Sequence, residues 1–257
     1  MSATVRLVRS RARLRWLVAV VLVSAPAHAA DLTKQQVLDI IGAATELAPA
    51  DLSGKDLSSL DLSGVDLKRA KLRGTNLSGA NLAGANLFGT VLTGAALRDA
   101  DLSGADLDIA LLDGADLSRA NLSKASIFGV LFTNAKLVEA NLSGARRVIA
   151  NFTNANLTRA NLANADMAAD MRNQPMGLMR VFFTSANLTG ANLRGANLAR
   201  ADLSFANLSN ADLTGADVFS ADVSGADLNG TIMRGIGGRE RLKNLGHAKN
   251  VDRAIFD

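Results

Sequence analysis

The sequence predicts an all-β solenoid in which the chain winds as a four-sided parallel β-helix behind a short N-terminal helix. The first observation behind this prediction is an unbroken five-residue repeat from Ala50 to Ala169, with 24 units of the form Ala-(Asp/Asn)-Leu-x-x. The second is that exceptions to the repeat recur every 20 residues, which is the length of four units. A tandem repeat of this kind is typical of a solenoid.

Residues 1–30 have the pattern of a secretory signal peptide. Arginines between Arg6 and Arg15 are followed by eight apolar residues, Trp16 to Val23, and Ala27-His28-Ala29 then provides a small-x-small cleavage site. Because eight apolar residues are too few to span a bilayer, we expect cleavage near Ala29 or Ala30 and no stable membrane anchor afterwards. The expected location is the periplasm of a Gram-negative cell.

The net charge of the chain depends on this segment. The whole sequence has 28 basic and 24 acidic residues and a formal charge of +4. Without the five arginines of residues 1–30, 23 basic and 24 acidic residues remain, and the charge falls to −1. The basic isoelectric point therefore comes from the leader and gives no reason to expect nucleic-acid binding. The absence of Cys excludes disulfides and Cys-ligated metals.

Residues 31–49 are predicted to form a capping helix, because an uncapped solenoid leaves an apolar end in contact with water. Thr33 is a suitable N-cap residue, and Pro49 ends the helical pattern. The apolar residues of segment 33–47 that recur at helical spacing are Val37, Ile40, Ile41, Ala44 and Leu47.

The five-residue period fits neither a helix nor a long strand. Within a unit, the order small, polar, Leu alternates as in a strand, so that two side chains point inward and one points outward. The remaining pair is often Ser-Gly or Thr-Gly, which favours a turn. Each unit is therefore predicted to form one very short strand followed by a corner.

Exceptions to the repeat indicate the number of sides and mark a candidate binding surface. The polar slot before the central residue is apolar at Val91, Leu111 and Leu131, which are 20 residues apart, so these residues stack if four units form a coil. The resulting apolar strip, a candidate for binding a partner or for self-association, consists of Phe88, Val91, Ile109, Leu111, Phe128, Leu131, Val148 and Ile149. Alternatively, the strip is merely tolerated or is covered by the Met-rich segment described next.

The repeat is interrupted from Asp170 to Arg180 and resumes in a second tract, residues 181–235, with its phase shifted by one. The eleven residues equal two units plus one and include Met171, Met176 and Met179. They form either two degenerate sides with a one-residue bulge or a projecting loop whose adaptable Met side chains contact a partner.

Residues 236–257 are predicted to close the second end. The segment from Arg239 to Leu245 has the composition of a short helix. Val251 and Phe256 then return to five-residue spacing, which indicates a last coil.

The repeat resembles that of pentapeptide-repeat proteins, whose A(D/N)LXX motif is present here as Ala80-Asn81-Leu82-Ala83-Gly84 and in many similar units. The resemblance covers about two thirds of the chain. It implies a right-handed, four-sided β-helix with the central and Ala-type side chains inside, and it makes a homodimer through the C-terminal end possible. It also implies an alternative function, the modulation of DNA gyrase or topoisomerase by an acidic rod that resembles DNA.

Two features place this DNA-mimic function second. An exported protein does not meet DNA, and the first tract has 12 acidic and 12 basic residues, whereas a mimic of a polyanion should be strongly acidic. The sequence therefore favours an exported, non-catalytic scaffold or protein-interaction module.

No pattern of a catalytic, cofactor-binding or metal site is present. His247 is the only His after residue 30, and nothing around it indicates a positioned base, so we expect it on the surface. Arg147 occupies an inward slot, and we expect a local bulge to turn it outward because an unpaired buried guanidinium is costly. The outward polar slots are expected to form hydrogen-bonded ladders, such as Asn81, Asp101, Asn121, Asn141 and Asn161.

Overall fold

The structure, a computed structural model, describes residues 30–146, 149–168 and 180–257. In each repeat unit the residue before the central Leu forms an isolated parallel β-bridge, and the two residues after the Leu form a turn. The turn is closed by a backbone hydrogen bond such as that from Lys55 N to Leu52 O, 3.2 Å. Its second residue has a positive φ, for example +69° at Gly54, which explains why Gly is so frequent there.

The bridges form four ladders that run along the molecule. Each bridge joins a residue to its equivalent four units further along the chain, as in Asp51 to Lys71, and four bridges follow one another before the chain returns to the same ladder. Ladder 1 contains Asp51, Lys71, Val91, Leu111, Leu131, Asn151, Phe182, Asp202, Asp222 and Lys243. Ladder 2 contains Asp56, Asn76, Ala96, Asp116, Lys136, Asn156, Asn187, Asn207, Asp227 and Lys249. Ladder 3 contains Asp61, Asn81, Asp101, Asn121, Asn141, Asn161, Asn192, Asp212, Ile232 and Ile255. Ladder 4 contains Asp66, Asn86, Asp106, Ser126 and Arg146, and continues with Asp166, Asn197, Asp217 and Gly237.

The core consists of the central Leu side chains and the small residues that precede the bridge positions, almost all of them fully buried. Behind ladder 1 the central residues change to Phe132, Phe152 and Phe183, whose stacked rings have centroids 4.8 and 5.0 Å apart. Thr75 occupies a small-residue slot and donates its hydroxyl to Leu52 O at 2.8 Å, so this buried polar group is satisfied. The core thus stays buried and satisfied from coil to coil, although the central residues vary among Leu, Phe and other apolar residues.

The first tract and the second tract are bridged directly on all four ladders. Asn151 bridges Phe182 and Asp166 bridges Asn197, so on both ladders the offset exceeds that of an ordinary coil by the whole length of the interruption. Two degenerate sides would instead have given Asn151 a partner near residue 171. The interpretation as degenerate sides is therefore wrong, because the four ladders continue without these eleven residues. Met171, Met176 and Met179 lie outside the described residues.

Helix α1 spans Lys34–Gly42. Its N-terminus carries a capping box, in which Thr33 accepts from Gln36 N while the Gln36 side chain accepts from Thr33 N. Val37 is fully buried in the same apolar cluster as the repeat core. The predicted extension to residue 47 is wrong, since the helix ends where Gly42 lowers helix propensity, and Leu47 is fully exposed.

The last coil has six residues on each side instead of five. Its ladder positions are Gly237, Lys243, Lys249 and Ile255, so the offset to the preceding coil grows by one residue at each successive side. Each extra residue is accommodated by one turn of 3₁₀ helix, and these turns span Arg239–Arg241, Leu245–His247 and Val251–Arg253. The predicted single helix from Arg239 to Leu245 and the predicted five-residue spacing are therefore both wrong.

Candidate interaction surface

Ladder 1 carries the apolar strip that the sequence predicts, since Val91, Leu111 and Leu131 are consecutive bridge partners. All three side chains are partly exposed. Phe88, Ile109 and Phe128 lie on the adjoining turns, at the edge between ladders 4 and 1, and the backbone oxygen of Ile149 accepts from Gly129 N on the same edge. The structure therefore brings together seven of the eight candidate residues, while Val148 and its neighbour Arg147 lie outside the described residues.

Ile109 protrudes from this edge in a strained backbone conformation. Its φ is +56° and the residue is 45% exposed. It is the only β-branched residue among the positive-φ positions of the described chain, and this type of residue strongly disfavours that region. Gly129 provides the space beside it, because a Cβ at residue 129 would lie only 3.3 Å from Ile109 Cγ2.

A buried carboxylate fixes the neighbouring turn. Asp108 is only 7% exposed, and its Oδ1 accepts from Ser126 Oγ at 2.7 Å and from Phe128 N at 3.0 Å. These bonds hold the backbone that presents Phe128 and link it to the coil of Ile109. Sequence reasoning missed this role because Asp is common in the repeat. The available signal was that residue 108 is a turn position, usually filled by Ser or Thr.

Phe182 extends the strip across the interruption. It lies on ladder 1 one bridge beyond Asn151, and the two residues line a shallow depression of about 220 Å³. The other lining residues are Gly129, Val130, Leu131, Ile149, Ala150 and Arg180. The Arg180 guanidinium lies 5.9 Å from the centroid of the Phe182 ring. This extension was not evident from the sequence because Phe182 follows the interruption, after which the phase of the five-residue repeat is shifted.

Charged residues border both ends of the strip. Lys71 is the bridge partner of Val91, and the Lys68 ammonium lies 5.5 Å from the centroid of the Phe88 ring. At the other end, Asp202 and Asp222 follow Phe182 on ladder 1. The surface is thus cationic at its start, apolar apart from Asn151 in the middle and acidic at its end.

The remaining ladders are mainly polar, and ladder 3 carries a row of side-chain hydrogen bonds. On ladder 3, Asn121 donates from Nδ2 to Asp101, Asn141 to Asn121 and Asn161 to Asn141, at 3.0 to 3.2 Å. The predicted Asn ladder is therefore present on this side. On the edge between ladders 2 and 3, Arg119 pairs with Asp99 one coil below at 2.7 Å. Polar side chains on these surfaces thus find partners within the molecule, whereas the apolar strip presents mainly apolar side chains.

The perturbed carboxylates of the described chain have structural causes. The pKa of Asp61 is lowered to about 2, mainly by hydrogen bonds from Ser63 and then by the Lys34 ammonium of α1. Arg119 lowers the pKa of Asp99 through its hydrogen bonds. Both carboxylates are exposed, so their shifts reflect local pairing rather than the environment of a catalytic group.

A metal cluster and a membrane-spanning helix each place requirements on the described residues. No group of three or more His, Asp or Glu side chains in the described ranges is placed to hold a metal ion. His247 ends an exposed 3₁₀ turn. None of the helices in these ranges combines the length and hydropathy that a membrane span requires.

The family model for pentapeptide repeats matches the chain in 8 copies, at residues 46–79, 75–114, 100–127, 150–168, 183–218 and 196–235. These ranges cover more than half of the sequence. The chain belongs to the pentapeptide-repeat family. The resemblance stated from the A(D/N)LXX motif is thereby confirmed, and the ladders are those of a repeat solenoid.

Solved structures of pentapeptide-repeat proteins are similar to this chain. HetL from the cyanobacterium Nostoc sp. strain PCC 7120, involved in the regulation of heterocyst differentiation, is 29% identical over 87% of this chain and 94% of its own, with a TM-score of 0.31. QnrB1, a plasmid-mediated fluoroquinolone resistance protein, is 16% identical over 79% and 93% of the two chains, with a TM-score of 0.47. A protein of the Arabidopsis thaliana thylakoid lumen is 39% identical over 42% and 68%, with a TM-score of 0.24. No curated protein sequence matches the chain.

Proposed function

We propose that this pentapeptide-repeat protein is an exported, non-catalytic scaffold that binds a protein partner through the apolar strip. The observation that carries the proposal is the contrast between ladder 1 and the other ladders. Val91, Leu111 and Leu131 present aliphatic side chains where the other ladders present mainly Asn and Asp. The strip is small, but a contiguous apolar row rimmed by polar residues supports a protein-binding surface.

Ile109 supports the proposal independently. A β-branched residue at φ +56° costs about 1–2 kcal/mol relative to Gly. Most turns on this edge and elsewhere have Gly, Asn, Ser or a charged residue at the same position. Strained residues of this kind tend to occur at functional sites, and here the strain exposes an apolar side chain in the middle of the strip.

The proposal includes the finer details of the fold. The four ladders form the four sides of a right-handed β-helix, and α1 covers its first coil. The burial of Val37 with the repeat core supports the role of α1. The last coil is a second contact surface and the site of a possible C-terminal homodimer, because its apolar residues Leu242, Leu245, Val251 and Phe256 remain partly exposed.

Export rests on the signal pattern of residues 1–30 and is tested by fractionation. We expect the chain in the periplasm with an N-terminus near Ala30, determined by mass spectrometry. Finding the uncleaved chain in the cytosol would contradict export and would favour the gyrase-directed alternative.

Partner binding is tested with the double variant Leu111→Asp/Leu131→Asp. Both side chains are outward-facing bridge residues, so we expect the fold to persist and cross-linked capture of periplasmic proteins to fall at least tenfold. The matched control is Asn187→Asp/Asn207→Asp on ladder 2, which adds the same charge and keeps the acceptor oxygens that bind Thr189 N and Ser209 N. Equal capture by parent and strip variant would refute the proposed surface.

A further inference from the structure

The charged residues of ladder 1 are placed so that two copies of the ladder, aligned in opposite directions, would pair opposite charges. Lys71 lies three bridges before Leu131, and Asp202 lies three bridges after it. Two bridges from Leu131, the flanking residues are both apolar, Val91 on one side and Phe182 on the other. One bridge from Leu131, the flanking residues are Leu111 and Asn151. The ladder is therefore arranged around Leu131 with a cation at one end, an acid at the other and, apart from Asn151, apolar residues between them.

The equal spacing exists only in the folded chain. In the sequence, the stretch from Leu131 to Asp202 is longer than the stretch from Lys71 to Leu131, because it contains the interruption. The difference disappears in the structure because Asn151 bridges Phe182 directly. At about 4.8 Å per bridge, both charged residues lie about 14 Å from Leu131 along the ladder.

We propose that the occupant of the strip is a second copy of this chain, packed antiparallel on ladder 1 with a two-fold axis through Leu131. The inference rests on the proposed function and names the partner of the same surface. Under this symmetry Lys71 of each copy faces Asp202 of the other. Val91 faces Phe182, Leu111 faces Asn151, and Leu131 faces its own counterpart. A two-fold contact of this kind uses the same patch on both copies.

Charge selects the antiparallel arrangement. A parallel pair would place Lys71 against Lys71 and Asp202 against Asp202, and such like-charge contacts are unfavourable. The antiparallel pair forms two ion pairs at the borders of a centre that is apolar apart from Asn151. One bridge further out Asp51 would face Asp222, so the contact ends at the ion pairs.

The size of the contact predicts a reversible dimer. Six bridge spacings give a length of about 29 Å, and one side of the coil is about 10 Å wide. This footprint is smaller than the roughly 800 Å² per partner of a standard interface. We therefore expect monomer and dimer to exchange, with the dimer populated at high protein concentration.

Disulfide trapping tests the two-fold axis. The chain has no Cys, so Leu131→Cys introduces a single thiol. Mild oxidation with copper–phenanthroline should give a covalent dimer at least ten times faster than in Lys136→Cys. That control lies one side further along the same coil, on ladder 2, and is more exposed than Leu131. Equal cross-linking at the two positions would mean random collision and would overturn the inference.

Charge exchange tests the orientation. Sedimentation equilibrium should show the dimer Kd of Lys71→Asp and of Asp202→Lys raised at least tenfold. The double variant Lys71→Asp/Asp202→Lys restores opposite charges across the axis and should return the Kd to within about threefold of the parent. Failure of this rescue would overturn the antiparallel pairing.

Other outcomes separate this inference from the proposed function. A parent that stays monomeric at the highest soluble concentration overturns the inference. A dimer that survives Leu131→Asp but is lost in Phe256→Asp assigns the contact to the last coil and also overturns it. If the parent is monomeric and the variant Leu111→Asp/Leu131→Asp captures less periplasmic protein than the parent does, only the inference fails. If the Leu131 dimer forms while that capture is unaffected, only the proposed function fails.

Discussion

Ile109 combines a conformational cost with exposure of an apolar side chain. The residue is held at φ +56° by the turn geometry that every repeat unit imposes at this position. Gly89, one coil away on the same edge, meets the same requirement without strain because it has no Cβ. Stability alone would therefore favour Gly at residue 109, and the isoleucine has value only if its side chain makes a contact.

We predict that Ile109→Gly stabilises the protein and weakens partner binding. Relief of the positive-φ strain should raise the free energy of unfolding by about 1 kcal/mol, measured by urea unfolding, while capture of the partner falls. The control is Lys124→Gly, at φ +59° on the edge between ladders 3 and 4, which should gain less stability and leave binding unchanged. A destabilised Ile109→Gly would show that the side chain serves the fold instead.

At the scale of elements, the interruption is an insertion that leaves the register of the two repeat tracts unchanged. The units that end at Ala169 and resume at Val181 are in phase once the eleven intervening residues are removed. The stacked rings of Phe132, Phe152 and Phe183 lie in coils on both sides of the interruption, so the core is continuous between the two tracts.

Deletion of residues 170–180 should therefore leave the solenoid folded. Direct linkage of residue 169 to 181 restores the ordinary four-unit offset on all four ladders. We expect an unchanged far-ultraviolet circular dichroism spectrum and a Tm within about 3 °C of the parent, equivalent to about 1 kcal/mol. Deleting eleven residues from within the first tract, 111–121, is the matched control and should abolish cooperative unfolding. Loss of cooperativity in both variants would show that the interruption contributes to the core.

The two terminal elements show where sequence patterns were insufficient. Thr33 correctly marked the start of α1, since the capping box depends only on local residues. Its end was overestimated because Leu47 fits helical spacing but has no surface to pack against. In the last coil, Asn244 and Asn250 adopt positive φ within six-residue sides, and the five-residue period gave no sign of that change.

For the molecule as a whole, periodicity predicted nearly all of the repeat architecture. The four-unit spacing of Val91, Leu111 and Leu131 anticipated the bridge offset, because equivalent positions in a solenoid are stacked by construction. The strip was predicted in position but not in extent. Phe182 was missed because counting along the sequence in steps of 20 residues does not reach it. Its place on ladder 1 becomes evident only when the eleven residues of the interruption are left out of the count.

The six-residue sides of the last coil also affect assembly along the rod axis. A coil with open bridge positions can template another chain, and stacked β structure is prone to this kind of growth. In the last coil the bridge offset increases at every side, and Gly237, Lys243, Lys249 and Ile255 are spaced for sides longer than those of the first coil. A second molecule that added its first coil there would lose register within one turn. We therefore expect the six-residue sides to disfavour head-to-tail polymerisation of the rod into fibres.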